Sequence, residues 1–239
     1  MRVADWRAAR VTSVQDATAH ARVLTVSVPG WEGNDAGQHV DIRLTAEDGY
    51  QAVRSYSLAS YGDAPTIELA VDEVPDGEVS PYLVRDVMVG DQLEVKGPLG
   101  AYFVWRPGRA APVQLVAGGS GIVPLLAMAR ARTDAGGPPF RLLYSVRTPA
   151  DALYRDEVAR LAASGVDVTW VYTRGGPPNW AGRIGRLDRE SLTAATWPAS
   201  DSPDVFVCGP TGFVEHVADE LVELGHPPLR VKTERFGGA

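Results

Sequence analysis

Two different rhythms of apolar and polar positions divide the chain. In its first part, short runs such as "RVLTVSV", "HVDIRL" and "TIELAV" alternate apolar with other residues, and turn-forming stretches like "PGWEGNDAG" and "TAEDGY" separate them. Alternation at period two over so few residues predicts half-buried strands joined by tight connections, as in a closed antiparallel barrel or sandwich. Beyond "FVWRPGRAAPVQ" the pattern changes. Continuous apolar runs ("PVQLVAGG", "FRLLYSV", "VDVTWVY", "PDVFVCG") now alternate with helical periodicities ("IVPLLAMARARTDA", "DALYRDEVARLAAS", "TGFVEHVADELVELG"). That order predicts a parallel sheet with helices on its faces. The reading is two domains: an antiparallel β barrel over residues 1–108 and a doubly wound α/β domain over residues 109–239.

In open α/β sheets ligands bind beyond the carboxyl ends of the strands, so those ends carry the candidate chemistry. The first is "LVAGGSGIVPLL", where Gly118, Gly119 and Gly121 link a buried strand to a helix. Glycines there let a phosphate-bearing ligand approach the backbone, and the free N–H groups of the helix favour an anion. The full G-x-G-x-x-G spacing is absent, and so is an acidic residue at the end of the next strand, so a simple dehydrogenase fingerprint is not met. The next two ends carry Ser145 with Arg147, and Thr173 with Arg174, Arg183 following close behind. Arginine forms bidentate contacts to phosphate, and an adenosine 2′-phosphate is the natural target, which favours NADPH over NADH. The last end, "VFVCGPTGFVEHV", holds the single cysteine, Cys208, before a Gly-Pro turn. A small, soft side chain there suits either ordinary core packing or the underside of a planar ligand. The helix that follows presents Phe213, Val214, Val217, Leu221, Val222 and Leu224 as core positions.

Composition narrows the function classes. With 45% hydrophobic and 22% charged residues the chain reads as an ordinary globular protein, with no apolar run near the length of a membrane helix. No apolar signal region stands at the start, so a cytoplasmic location is expected. One cysteine excludes an internal disulfide, a cysteine-ligated zinc cluster and a four-cysteine iron–sulfur centre within this chain, and no metal site is expected. The net charge of −7 resides wholly in residues 1–108, with 9 basic against 16 acidic residues. Nothing suggests a nucleic-acid face.

Taken in order, "RSYSLAS", "DGEVSPYL", "GPLGAYF", "AGGSGIVP", "CGPTGF" and the terminal "ERFGG" resemble the ferredoxin–NADP⁺ reductase superfamily of flavoenzymes across nearly the whole chain. The resemblance implies a Greek-key flavin barrel followed by a nicotinamide nucleotide domain. It implies that Arg54 pairs with the FAD pyrophosphate, Tyr56 packs on the isoalloxazine, and Ser57 hydrogen-bonds near flavin N5. Strict alternation puts Arg54 and Tyr56 on one face and Ser57 on the other, so the role of Ser57 requires a local bend or its backbone N–H. Gly77, Val79 and Ser80 are implied to cap the pyrophosphate at the start of a short helix from about Pro81 to Asp86. NADPH, with NADH left open as donor, is implied to contact Gly118, Gly119, Gly121, Ser145, Arg147, Thr173, Arg174, Arg183, Cys208, Gly209 and Pro210. Phe236 is implied to cover the flavin face until nicotinamide displaces it, with the trailing "GGA" loosening that gate. Ser57, Cys208 and Glu234 form the implied set around hydride transfer. "GPLGAYF" carries turn formers with no assigned contact.

The implied activity is an FAD-dependent NAD(P)H oxidoreductase that passes hydride from NADPH to flavin N5 and then single electrons to a separate redox protein, a ferredoxin or a metalloenzyme component. An acidic flavin domain repels an acidic ferredoxin unless arginines such as Arg7, Arg10 or Arg85 form a local positive patch. Two alternatives stay open: a flavin reductase acting directly on a diffusible acceptor such as a quinone or ferric chelate, and a non-catalytic electron-transfer subunit of a larger complex.

Overall fold

The computed structural model describes residues 5–237; the first four residues and the last two, including the end of the "GGA" extension, lie outside the described residues. The chain divides into two compact units, one ending at Trp105 and one beginning at Arg106.

The first unit is a six-stranded antiparallel sheet, built from β1 (Trp6–Thr18), β2 (Ala21–Ser27), β3 (His39–Thr45), β4 (Gln51–Ser57), β5 (Thr66–Asp72) and β6 (Gln92–Leu99) in the order β4-β3-β6-β1-β2-β5. The two ends of that order meet. Leu58, just past β4, bridges Leu69 of β5, and the Ala59 N–H donates to the Glu68 carbonyl at 2.9 Å. This closure gives the expected antiparallel barrel and removes most of the exposed edge. Its interior is filled by the inward residues of each strand, among them Leu24, Val26, Val40, Ile42, Ile67, Leu69 and Val95. Helix α1 (Ser80–Arg85) adds Leu83 and Val84 to the same core.

One segment behaves differently from its composition. "GPL" reads as a turn, yet β6 continues through Gly97 and Pro98 to Leu99. The register between β3 and β6 shifts between His39 and Asp41, so that Gly97 and Pro98 of β6 together oppose the single residue Val40 of β3. A side chain at Gly97 would come within 2.7 Å of Val40 Cγ1, so glycine is what lets β6 form its bulge against Val40.

The second unit is a parallel sheet of β7 (Val113–Gly118), β8 (Phe140–Val146), β9 (Asp167–Tyr172), β10 (Asp204–Pro210) and β11 (Val231–Phe236), in the order β11-β10-β7-β8-β9. Strand order therefore reverses between β7 and β10, which is where a doubly wound sheet offers its crevice. Val116, Leu143, Val171, Val205 and Val207 point to one face and pack with Leu192 of α4 (Arg189–Ala195) and with Val214, Val217 and Leu221 of α5 (Thr211–Glu223). Leu115, Leu142 and Phe206 alternate to the other face, the side of α2 (Ile122–Ala135) and α3 (Arg155–Ala163). Among the described residues no helix is long and apolar enough to cross a membrane.

Candidate functional site

In the first unit, β4 carries "RSYS" in unbroken register against β3, from Thr45↔Gln51 to His39↔Ser57. Arg54 and Tyr56 share the face of their buried partners Ile42 and Val40, and Ser57 falls on the other face. The bend that would bring the Ser57 side chain to the side of Tyr56 is absent from β4. Tyr56 is half-buried against the barrel core, and burial pushes its hydroxyl far above the ordinary phenol range, only partly countered by Arg54.

Arg54 is about half exposed, and its guanidinium pairs with Glu78 and donates to the Val53 carbonyl at 2.8 Å. The other Glu78 oxygen accepts from the Tyr50 hydroxyl at 2.6 Å. These bonds, the one from Tyr50 foremost, hold the Glu78 carboxyl below the ordinary carboxylate range despite some desolvation. Glu78 lies between Gly77 and Val79, so this ion pair brings together the arginine on β4 and the 77–80 loop. The loop itself is tight. The Gly77 N–H donates to the Val74 carbonyl, and a side chain at Gly77 would lie 2.9 Å from that oxygen. Ser80 is the first residue of α1 and not its cap. Its buried hydroxyl accepts from the Val74 N–H at 3.0 Å, and the cap position, Val79, offers no side-chain bond. The first N–H groups of α1 therefore have no intrahelical or capping partner. Glu78 and Tyr50 carry no signal in the sequence, because their meeting with Arg54 depends on how the 77–80 loop lies against β4.

In the second unit the glycines divide into two kinds. Gly121 has helical φ and ψ, yet a Cβ there would sit 2.1 Å from the Cys208 carbonyl oxygen and 2.8 Å from the Gly209 nitrogen. At Gly118 and Gly209 a Cβ would meet the Phe213 ring at 2.7 and 2.8 Å. These three are required where the ends of β7 and β10 pack backbone against backbone beneath Phe213. Of the four glycines at these two strand ends, Gly119 alone has positive φ (55°) and open space where a side chain would be.

Cys208 is fully buried, and burial followed by the charge of Glu234 holds its thiol well above the usual range, so it is neutral at physiological pH. Cys208 and Glu234 are register partners on β10 and β11, and Pro210 and Phe236 are the next pair on the same face. The structure thus brings Cys208, Glu234, Pro210 and Phe236 together, with Phe236 half-buried. Ser57 belongs to the other unit.

The ends of β8 and β9 are joined by backbone hydrogen bonds. The Thr173 N–H donates to Val146 O at 2.8 Å, and those of Arg174 and Gly175 donate to Arg147 O at 2.9 and 3.3 Å. Arg147 and Arg174 consequently lie side by side, both exposed, and neither guanidinium has a hydrogen-bond or ion-pair partner among the described residues. Ser145 is buried at the end of β8, and Thr173 is half-buried. Arg183 is engaged elsewhere, 2.5 Å from Asp188, the cap of α4. Hydrogen bonds from Ser191 and then the nearby Arg183 hold that carboxyl below its ordinary range.

Of the arginines that would relieve repulsion of an acidic partner, Arg7, Arg10 and Arg85, one is already neutralised. Arg85 pairs with Glu73, and Arg7 donates to the neutral Gly30 carbonyl at 3.0 Å beside Trp31; of the three, only Arg10 has no partner among the described residues. No group of three or more potential metal ligands occurs among the described residues.

Two family models match, an oxidoreductase FAD-binding domain over residues 8–104 and an oxidoreductase NAD-binding domain over residues 115–219. Ferredoxin–NADP reductase B of Sorangium cellulosum is 39% identical over 215 residues, covering 84% of this chain and 85% of that protein. NADH-cytochrome b5 reductase 1 of Neosartorya fischeri is 32% identical, covering 83% of this chain and 67% of its own. Among solved structures, the flavohaem-like FAD/NAD-binding domain of nitric oxide dioxygenase from Vibrio cholerae superposes with a TM-score of 0.85 at 26% identity, covering 99% of this chain and 100% of that one. The chain belongs to the ferredoxin–NADP⁺ reductase superfamily, as an FAD-binding, NAD(P)H-dependent oxidoreductase.

Proposed function

We propose that the chain takes hydride from NADPH in preference to NADH and hands single electrons to a separate redox protein. Bound FAD supplies the chemistry, accepting two electrons from a nicotinamide and releasing them one at a time. The residues of the first unit fit such a group: an accessible guanidinium on β4, uncapped N–H groups at α1 and a half-buried tyrosine face the needs of a diphosphate and an aromatic ring. On this reading Arg54 exchanges Glu78 for the diphosphate, and Gly77, Val79 and Ser80 shape the loop that receives it. Tyr56 supports the ring system. Ser57 contributes through its backbone, since its side chain lies on the opposite face. In the second unit, Gly119 gives room for the nucleotide phosphates. Cys208, neutral and buried, offers a small contact surface, Glu234 beside it holds a charge that orients the nicotinamide amide, and Gly209 and Pro210 form the turn beneath. Phe236 shields that surface and yields to nicotinamide, a gate that limits unproductive binding.

The observation that carries the donor preference is the pair Arg147 and Arg174. Two arginines whose backbones are hydrogen-bonded to each other and whose guanidiniums meet no carboxylate among the described residues favour a dianion, and the 2′-phosphate is what distinguishes NADPH. Ser145 and Thr173 line the same strand ends, and Arg183 contributes only if it leaves Asp188. Arg174→Ala is expected to raise the NADP⁺ dissociation constant about 10- to 100-fold, the loss of a charge-assisted contact, with NAD⁺ binding changed less than twofold. Equal weakening of both nucleotides would remove the 2′-phosphate role.

For the acceptor, the Sorangium relative names ferredoxin, and a ferredoxin is the first candidate. The pairing of Arg85 with Glu73 favours a second reading, a less acidic redox protein or metalloenzyme component, because of the three arginines only Arg7 and Arg10 keep a charge that no carboxylate meets. Reduction of an acidic ferredoxin that accelerates with added salt would support repulsion and the second reading; acceleration at low salt would support the first.

A further inference from the structure

We infer that Trp180 is a positioning residue for nucleotide discrimination: it plugs the loop that follows β9 and so fixes Arg174 beside Arg147. The inference rests on the 2′-phosphate reading of those arginines.

The loop runs from Thr173 to Gly185 and its ends meet. The Gly185 N–H donates to Tyr172 O at 2.9 Å, and Tyr172 and Ile184 form a parallel bridge. A loop of this length with closed ends needs something inside it to hold one shape. Trp180 supplies that. A Cβ at Gly176 would fall 2.5 Å from the indole Cγ, and one at Gly182 would fall 2.4 Å from Cζ2, so both glycines are spaces occupied by the ring. The indole meets the edge of Tyr172, with centroids 4.9 Å apart and planes at 84°. Tyr172 in turn stacks on Trp170, at 6.0 Å and 6°, and is itself buried on the sheet. Polar bonds complete the hold. The Trp180 Nε1–H donates to the Arg183 carbonyl at 3.2 Å and the Trp180 N–H to the Pro177 carbonyl at 3.0 Å, while Asn179 takes the left-handed conformation (φ 63°) that turns the chain inward.

The consequence concerns Arg174. Its backbone is tied to Arg147 at the base of the loop, and the plug holds the remainder, so the guanidinium faces a ligand from a fixed base. Without the indole, the loop gains many conformations in the free protein, and binding must order them. That cost falls on contacts made by the loop, which on this reading are those to the 2′-phosphate. NAD⁺ has no group there and is insensitive to it.

The test is equilibrium binding of NADP⁺ and NAD⁺ to the oxidised, FAD-loaded protein by calorimetry, without turnover. Trp180→Ala is expected to raise the NADP⁺ dissociation constant about tenfold and to leave that of NAD⁺ within twofold. Trp180→Phe, which keeps an aromatic plate between the glycines, is expected to restore most of the difference. Gly182→Ala expels the ring without removing it and is expected to copy Trp180→Ala. Arg174→Ala is measured alongside. Selective loss in Arg174→Ala with none in Trp180→Ala overturns the inference and leaves the 2′-phosphate reading standing. Equal loss for both nucleotides in Trp180→Ala also overturns it, as a general structural defect. If Arg174→Ala itself shows no selectivity, the 2′-phosphate reading falls and this inference with it. Should Trp180→Ala fail to retain FAD or fold, Trp180→Phe and Gly182→Ala decide the matter by the same ratio.

Discussion

Adding one methyl group at Gly121 separates packing from ligand approach at the switch point of the sheet. The backbone there (φ −60°, ψ −11°) is one that alanine adopts freely, and in a helix alanine is favoured over glycine by about 1 kcal/mol. Local preference therefore predicts stabilisation. Packing predicts the reverse, because the new Cβ would stand 2.1 Å from Cys208 O and 2.4 Å from its carbonyl carbon. Relief requires the backbone to part by about 1 Å, since contacts below 3.0 Å are essentially never seen. Cys208 cannot yield cheaply: it is in register with Ala117 on one side and Glu234 on the other, so any shift stretches two ladders. Overpacking of cores costs about 1–3 kcal/mol, and a clash with fixed backbone lies at or beyond the upper end. A loss of about 3 kcal/mol lowers the melting temperature of a chain this size by roughly 6–12 °C. The comparison is Gly119→Ala, which meets nothing within 4 Å and suffers chiefly from its positive φ, at about 1–2 kcal/mol. Thermal unfolding of both variants, with nucleotide binding measured on each, is the assay. Gly121→Ala should be the less stable, and Gly119→Ala should fold but bind NADP⁺ and NAD⁺ more weakly. A Gly121→Ala protein as stable as the parent would refute the backbone-contact argument.

Three further outcomes are expected. Arg54→Ala should raise the dissociation constant of FAD for the apoprotein about tenfold by removing a charge-assisted contact, measured by flavin fluorescence quenching. Glu78→Gln should lower that constant, because it frees Arg54 from a competing carboxylate; a weaker complex would mean that Glu78 instead steadies the arginine. Cys208 has its folded-state pKa raised, so the unfolded chain loses the proton first. Stability should fall as pH rises through about 9, the ordinary value for a free thiol, and Cys208→Ala should lack that component in unfolding experiments at pH 8–10.5.

How much of this was legible in the sequence depends on whether a feature lies within one element. Strands β7 to β10 and the long helices of the second unit were, since α2 and β8 occupy the very segments that their apolar periodicity marks out. Helix α4, only seven residues long, and β1, thirteen residues with two register shifts against β2, were not, because neither sustains a clean period. The same divide runs through the site. Residue types at strand ends pointed to Arg147, Arg174 and Cys208, but Gly118 and Gly121 have the spacing of a phosphate loop whether they face a ligand or Phe213 and Cys208. Glu78 between Arg54 and Tyr50, and Trp180 between two glycines, are meetings of separate segments. Spacing along a chain does not encode such meetings; only closure of the fold creates them.

Which arginines remain unpaired is then the more informative quantity. Arg22, Arg43, Arg54 and Arg85 in the first unit, and Arg130, Arg141, Arg183 and Arg189 in the second, each meet a carboxylate. Exposed pairs of this kind contribute little stability individually, but they cancel charge, so an anion landing at one of them must first displace a carboxylate. Arg147 and Arg174 lie beside each other without that cancellation, and the backbone bonds that join their loops prevent them from drifting apart. Arg54 differs in kind, because its charge is already met by Glu78. A ligand at Arg147 and Arg174 gains the full attraction of two cations, whereas a ligand at Arg54 must first displace a carboxylate that Tyr50 also holds. On the proposed reading, anion binding is therefore an exchange in the first unit and a neutralisation in the second.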